Sequence, residues 1–420
     1  MNTLSAILKL ASRNLLRNRR RSAVTVLAAM LGFAAVNVFA GFTTYLFVNL
    51  RESFIYGLGN GHIIIYKEGY REKGASDPAH FLLPGEVYQT LVRMADKDDR
   101  ILLASGRLDL SGQLDTGNTS NIFMATAVTP SHGERFYQAS KSMPRGDSFI
   151  TEGKPLRDDN PNEIGITSGV RKTLGLTLGS TAVLMARTVD GQVNTVDVVV
   201  KNVFDAPNET LDGTLINMPL ALAQELYQTE SVGSVSILLR DSADISTIEQ
   251  LIRDRLGDSA KDLRIQHWDK ESELYRLTRN MFDMMFGIVF LILVVIVAMS
   301  VMNTMGMAVL ERTTEIGTLR AVGLKRSGVI RLFAAEGALL GFGGVALGSL
   351  ITVVICTLIY TCNPTWTPPT LGRAVPLEIR LEPVCLFLTG IALVLLTLAA
   401  SIVPARRASN QGIVEALVHT

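Results

Sequence analysis

The chain has 420 residues, 48% of them apolar, and a formal net charge of +1, with a positive mean hydropathy. That balance excludes a basic nucleic-acid binder, since no block of Lys and Arg stands out, and it favours several membrane spans. The three cysteines, Cys356, Cys362 and Cys385, lie in or beside C-terminal apolar runs, which excludes a disulfide framework for the polar middle; the metal-ligand spacings of Cys and His are also missing.

Residues 3–21, "TLSAILKLASRNLLRNRRR", predict an amphipathic helix. Leu4, Ile7, Leu8, Ala11 and Leu15 fall on one side, while Lys9, Arg13, Arg17 and Arg20 fall on the other. Such a helix lies in the headgroup layer with membrane lipid as its partner; the plainer alternative is a topology signal. The uncharged run 22–50 follows as span one. It is about twice as long as the apolar region of a secretory signal, about 7–15 residues, so an uncleaved anchor is expected.

Residues 51–280 are rich in turns and β-branched residues. "HIIIY" (62–66), helical "GEVYQTLVRMAD" (85–96) and "RILLASGRL" (100–108) read as β-α-β, and so do "SVSILLR" (234–240), "SADISTIEQLIRDRL" (242–256) and "LRIQHW" (263–268). The intervening part, about 110–230, carries strand-like "TAVLMA" (181–186) and "TVDVVVKNVF" (195–204), separated by a Gly-Asp hairpin signal. Both ends of the domain are therefore expected to return to one subdomain, with the rest inserted between them. His62, His80, His132 and His267 are scattered without metal-site spacing, and no nucleophile elbow occurs. No catalytic residue is assigned and no metal site is expected. A binding or transmission domain fits better than an enzyme.

Three further apolar runs complete the chain: span two (281–310), span three (328–362) and span four (383–405), with a loop at 363–382 and a tail at 406–420. Spans one and two exceed the roughly 20 residues a bilayer needs, so both helices should continue beyond it as a stalk. Six Lys and Arg precede span one, and five lie in 311–331. Both termini and the 311–331 segment are accordingly expected in the cytoplasm, with 51–280 on the far side. Glu336, near the inner boundary, and Asp283, near the outer one, are the candidate functional residues of the spans.

Between spans two and three stands "ERTTEIGTLRAVG" (311–323). Wound as a helix, it puts Thr313, Thr314, Gly317, Thr318 and Ala321 on one side, bordered by Arg320 and Glu311. Ile316 and Leu319 project towards whatever anchors it. Gly317 costs such a helix about 1 kcal/mol relative to Ala, and close approach to another protein would offset that. The expectation is a docking helix, against the alternative of an ordinary loop with solvated charges.

At these residues the chain resembles the MacB/FtsX/LolC-LolE superfamily of ABC transporter permeases. The matching pattern is Glu311, Arg312, Glu315, Ile316, Gly317, Arg320, Ala321 and Gly323, followed by Lys325 and Arg326. "VIRLFAAEGALLGFGGVALG" (329–348), with Glu336, is similar to the family's third span, and "PARRASNQGIVEAL" (404–417) is similar to its closing motif, with Ile413 in place of the usual proline.

The resemblance implies an α-helical membrane protein of the bacterial inner membrane, with four transmembrane helices. A large α+β extracytoplasmic domain is inserted between helices 1 and 2, with a porter-like part (51–109 and 231–280) and a sabre-like insert (110–230). It implies that 311–327 is a coupling helix seated on a P-loop ABC ATPase dimer in which ATP and Mg are bound; the chain itself has no G-x-x-x-x-G-K-[ST] and takes no cofactor. A second permease subunit, the same or paralogous, and a periplasmic carrier or adaptor are further implied partners. Within the superfamily the chain looks closest to the LolC/LolE-like group, which implies extraction or export of lipoprotein-like or lipidic cargo. Alternatives are a MacB-like mechanotransmission efflux permease and an FtsX-like regulator of a cell-wall hydrolase. A membrane sensor or receptor is the competing reading from another class.

Overall fold

The computed structural model describes residues 3–140, 150–206, 210–366 and 375–410. The tail motif around Ile413, and residues 367–374 of the loop before span four, lie outside the described residues. In chain order, helices α1 (Thr3–Arg17) and α2 (Arg19–Glu52) come first. A β-rich stretch follows with β1 (Ile63–Lys67), α3 (Gly85–Ala95), β2 (Ile101–Asp115), β3 (Ser120–Val128), β4 (Ile150–Gly153) and β5 (Glu163–Thr167). It continues with β6 (Thr181–Arg187), β7 (Val193–Phe204), β8 (Leu215–Pro219), β9 (Ser234–Leu239), α4 (Ile245–Leu256) and β10 (Leu263–His267). Helices α5 (Glu273–Glu311), α6 (Thr313–Ala321), α7 (Arg326–Cys362) and α8 (Pro383–Asn410) close the described chain. The described residues fall into two compact units: those within 3–47, 278–365 and 376–410 form the helical one, and those within 48–277, with 366 and 375, the β-rich one.

In the β-rich unit ten strands make one sheet, ordered β10-β1-β9-β2-β3-β8-β5-β7-β4, with β6 paired to β2 and β7. The two β-α-β units are interleaved: β9 lies antiparallel between β1 and β2, and β1 lies antiparallel between β9 and β10. This is the split β-α-β arrangement. Helices α3 and α4 touch each other, and they bury Tyr88, Leu91 and Met94 from one and Ile248 and Ile252 from the other. Ile63, Ile64 and Ile65 of β1 are all essentially inaccessible, because this strand is covered on both faces.

The expected porter–sabre boundary at 109/110 falls inside β2. That strand pairs with β9 from Ile101 to Arg107 and with β3 from Arg107 to Asp115. A single apolar cluster runs from Ile63 through Leu108 and Leu114 to Leu184 and Val198, so the insert shares its core with the part that encloses it. Alternation along β7, with Val196, Val198 and Val200 inside and Thr195, Asp197 and Val199 outside, fits a strand with one covered face.

In the helical unit α2, α5, α7 and α8 are long and apolar enough to cross a membrane. With 34 and 39 residues, α2 and α5 measure about 50 and 58 Å at 1.5 Å per residue, against a hydrocarbon core of about 30 Å. The helix that carries span two begins at Glu273, ahead of 281, because "ELYRLTRNMFDM" contains no Gly or Pro to stop it.

Helix α7 packs through its glycines. A β-carbon on Gly344 would meet Ala29 of α2 at 2.6 Å, and one on Gly348 would meet Phe33 at 2.8 Å. Gly337 and Gly341 lie as close to Ser401 and Thr397 of α8. Small residues let helix backbones approach where no hydrophobic drive separates lipid from protein. Buried Asn37 of α2 is paired with Thr389 of α8 at 3.1 Å, which answers its amide inside the apolar layer.

Candidate functional site

The segment between α5 and α7 is built from a break, a short helix and a stop. α5 ends at Glu311, and Arg312 leaves helical geometry (φ −117°, ψ 18°). Thr313 Oγ1 then donates to the carbonyls of Val309 and Leu310, each at 3.0 Å, which occupies acceptors that a helix end would leave open. α6 stops at Gly323, whose φ is +107°. The Leu324 N–H reaches the Leu319 carbonyl at 3.0 Å and the Gly323 N–H reaches that of Arg320 at 3.1 Å. These are the paired bonds of a Schellman motif, and the left-handed residue in it favours glycine.

One arc of this segment, Arg312, Thr313, Ile316 and Gly317, is buried against the rest of the helical unit. The other arc, Thr314, Glu315, Thr318, Leu319, Ala321, Val322 and Gly323, is exposed, with Val322 84% accessible. This corrects the expected phase. The small stripe is split: Thr313 and Gly317 turn inward while Leu319 turns outward instead of anchoring. The inward phase is set by Ile316, which joins the apolar cluster around Phe333 and Met305, and by Arg312. Glu311 is exposed and Arg320 half-buried at the rims.

Arg312 sits in a polar knot. Its Nη1 donates to Glu336 Oε1 at 3.2 Å and its Nη2 donates to the Asn14 carbonyl at 3.0 Å. Asn14 Nδ2 donates to the same Glu336 oxygen at 2.6 Å. The side chains of Arg312 and Glu336 are 8% and 2% accessible, so two charges that would be costly alone are held as a hydrogen-bonded pair. The knot joins α1, the α5–α6 break and α7.

Around it lie Arg17–Glu315 at 2.9 Å, Arg21–Glu311 and an Asn18 amide donating to Glu311 at 3.3 Å. Arg17, expected on the basic side of α1 opposite the apolar stripe, is turned towards α6. Likewise Ala11 is fully buried, because α1 packs against α7. Asn14, Arg17, Asn18 and Arg21 were not singled out as site residues. The available signal was the four-residue spacing of Arg17 and Arg21, matched by Glu311 and Glu315.

Asp283 is placed apart from this site. It stands 3.8 Å from Arg279 one helical turn away, with both side chains more than half exposed, a pairing that contributes little. Arg279 lies over the Phe47 ring, 5.5 Å from its centroid.

The β-rich unit presents a cleft of about 280 Å³ lined by Tyr66, Glu68, Glu72, Lys73, Phe81 and Arg264. In it Glu68 and Arg264 already pair at 3.4 Å. His62 accepts from the Leu239 N–H at 3.1 Å through Nδ1. Burial first, and Arg51 second, lower its pKa to about 4, so it is a neutral core residue. Among the described residues no His, Cys, Asp and Glu group is arranged to hold a metal ion.

Two family models match the chain: the FtsX-like permease C-terminal region over residues 287–413 and the MacB-like periplasmic core domain over residues 22–255. The chain is 34% identical over 146 residues to the ABC transporter permease YtrF of Bacillus subtilis, covering 33% of this chain and 34% of that one. It is 33% identical over 124 residues to the macrolide export ATP-binding/permease protein MacB of Escherichia coli, covering 29% of this chain and 19% of that one. The chain thus spans about a third of YtrF and a fifth of MacB. The lipoprotein-releasing system transmembrane protein LolC of Xylella fastidiosa is 23% identical over 360 residues, which is 80% of this chain and 82% of that one.

Proposed function

Because the chain belongs to the family of MacB-like and FtsX-like ABC transporter permeases, we propose that it is the membrane subunit through which a separate ABC ATPase drives change in the β-rich unit. α6 is its coupling helix. The observation that carries this reading is the two-faced placement of α6. Its outer arc, with Leu319 and Val322, is open to a partner, while its inner arc is tied through Arg312 to Glu336 and Asn14.

In this reading α6 and both termini face the cytoplasm, as the basic flanks favour, and the β-rich unit faces the periplasm. ATP and Mg bind in the partner ATPase dimer, and two permease subunits assemble on it. α2 and α5, each longer than the bilayer is thick, act as levers.

The cargo is lipoprotein-like or lipidic and is taken from the inner membrane. Two observations support this. The similarity to LolC runs along most of both chains. The apolar middles of α2, α5, α7 and α8 carry no charged side chain, Glu336 near the inner boundary being already paired, whereas a route for polar solutes through the bilayer centre usually carries ionisable residues. The match of the MacB-like model over 22–255 favours a second reading, efflux of amphiphiles together with a periplasmic adaptor.

The test is affinity purification from native membranes. The unaltered chain should bring down a P-loop ATPase, and Leu319→Asp/Val322→Asp should lose it while inserting normally. Retention by that variant, or recovery of a signalling protein in place of an ATPase, would overturn the reading. Depletion of the chain should leave lipoproteins in the inner membrane; normal release with raised sensitivity to amphiphilic drugs would favour efflux.

A further inference from the structure

The ridge formed by Arg17, Arg21 and Thr25 runs along one side of α1 and α2 at four-residue intervals. Opposite it, in antiparallel order, stand Glu315, Glu311 and Thr304. Arg17 meets Glu315 at 2.9 Å, Arg21 meets Glu311, and Thr25 meets Thr304 at 2.6 Å, with Ser300 also donating to Thr25 at 3.4 Å. Further along, a β-carbon on Gly32 would touch Leu293. The α1–α2 boundary at Asn18 keeps its backbone bonds, Asn18 to Asn14 at 3.3 Å and Ser22 to Asn18 at 3.1 Å.

We infer that this ridge is a polar zipper that ties α6 to α1 through Arg17 and Glu315 and the end of α5 to α2 through Arg21 and Glu311, and that Arg17 and Arg21 are positioning residues through which displacement of α6 enters α1 and, across Asn18, span one. The inference rests on the reading of α6 as the docking helix. Its basis is that α6 is separated from α5 by the non-helical Arg312, so α5 alone is a poor conductor of motion from it. The chain offers a second connection that bypasses the break. The buried knot at Asn14 fixes Arg312, at the start of α6, to α1; Arg17–Glu315 fixes the rotation of α6 from outside, and Arg21–Glu311 holds the end of α5 beside it.

An exposed ion pair is weak, shifting an equilibrium about two- to fivefold. That magnitude suits a trimming role: the pairs need not hold the fold, which the apolar cluster does, but they bias the α5–α6 corner towards one orientation. Lys9, Arg13, Arg19 and Arg20 remain to fix topology when either Arg17 or Arg21 is changed.

The experiment uses the full permease with its ATPase in liposomes and reads permease-dependent ATP hydrolysis together with ATPase retention. Arg21→Glu and Arg17→Glu should each lower the stimulation about two- to fivefold with the ATPase still bound, and the swap Arg21→Glu/Glu311→Arg should restore it. Unchanged stimulation in both single variants, or a swap as impaired as Arg21→Glu alone, overturns the zipper. The docking reading has its own control: if Leu319→Asp keeps the ATPase bound and stimulated, that reading fails and the zipper loses its role with it. Loss in Leu319→Asp with unaffected arginine variants leaves docking standing and removes the zipper alone.

Discussion

Arg312 and Glu336 meet at 3.2 Å with both side chains shielded, and Asn14 binds each of them. Removing one partner strands the other. Glu336→Ala should therefore cost about 3–5 kcal/mol, read as a lower melting temperature of the purified protein, with Arg312→Ala similar. The double change Arg312→Met/Glu336→Met should recover much of that loss, since a buried pair is often replaceable by apolar side chains of like size. If the double variant melts normally yet fails to stimulate the ATPase, the pair serves coupling; recovery of both properties would mark it as structural only.

Gly317 faces inward, so Gly317→Trp should disturb the seat of α6 on its own chain as well as any partner contact. Protease resistance of the 311–323 segment should fall along with ATPase stimulation. Leu319→Asp, on the outer arc, should leave protease resistance unchanged and abolish stimulation. Equal behaviour of the two variants would contradict the phase of α6 described above.

The glycines of α7 give a cleaner stability test. Gly344→Leu would drive a side chain into Ala29, and Gly348→Leu would drive one into Phe33 and the Met30 carbonyl. Overpacking of this kind costs about 1–3 kcal/mol, and backbone contact leaves little room to relax. Both variants should insert but lose thermal stability. Gly343→Leu, where the nearest atoms lie at 3.6 Å or more, should be nearly silent.

His62 makes the β-rich unit sensitive to acid. Its pKa falls to about 4, whereas an unfolded histidine titrates near 6.5. Between these values the unfolded chain binds a proton that the native chain does not, so stability is complete above about pH 6.5 and declines towards pH 4, by at most about 3 kcal/mol. Denaturant titrations across that range should show the slope, and His62→Asn should flatten it. An unchanged slope would assign the acid sensitivity to other groups.

Much of this architecture is legible in the residues themselves. The four apolar runs are long and uncharged, and the β-rich ends repeat a strand–helix–strand rhythm. What the sequence leaves hidden is long-range placement. Nothing local says that β9 slips between β1 and β2, because strand order depends on pairings some 130 to 170 residues apart along the chain. The α6 helix shows the same limit at short range: its residue spacing marks a helix, but the small stripe and the Ile316–Leu319 pair are each divided between the buried and exposed arcs, because the phase depends on where Arg312 finds a buried carboxylate. Periodicity at residues 313, 317 and 321 cannot reveal Glu336 on another helix. Arg17 and Arg21 were legible as charge alone, since an arginine facing lipid headgroups and one facing Glu315 look alike in a one-dimensional pattern.

Ile63 and His267, the first and last paired residues of the β-rich sheet, sit directly across from each other. The strands inserted between β2 and β9 likewise have fixed feet, because Arg107 and Ser234 pair at their roots. Lengthening a loop between fixed feet costs little closure entropy, about 0.6 kcal/mol per doubling. Descendants of this chain could enlarge or trim the turns of the insert to suit new clients, while the strands that share their core with the paired base stay as they are.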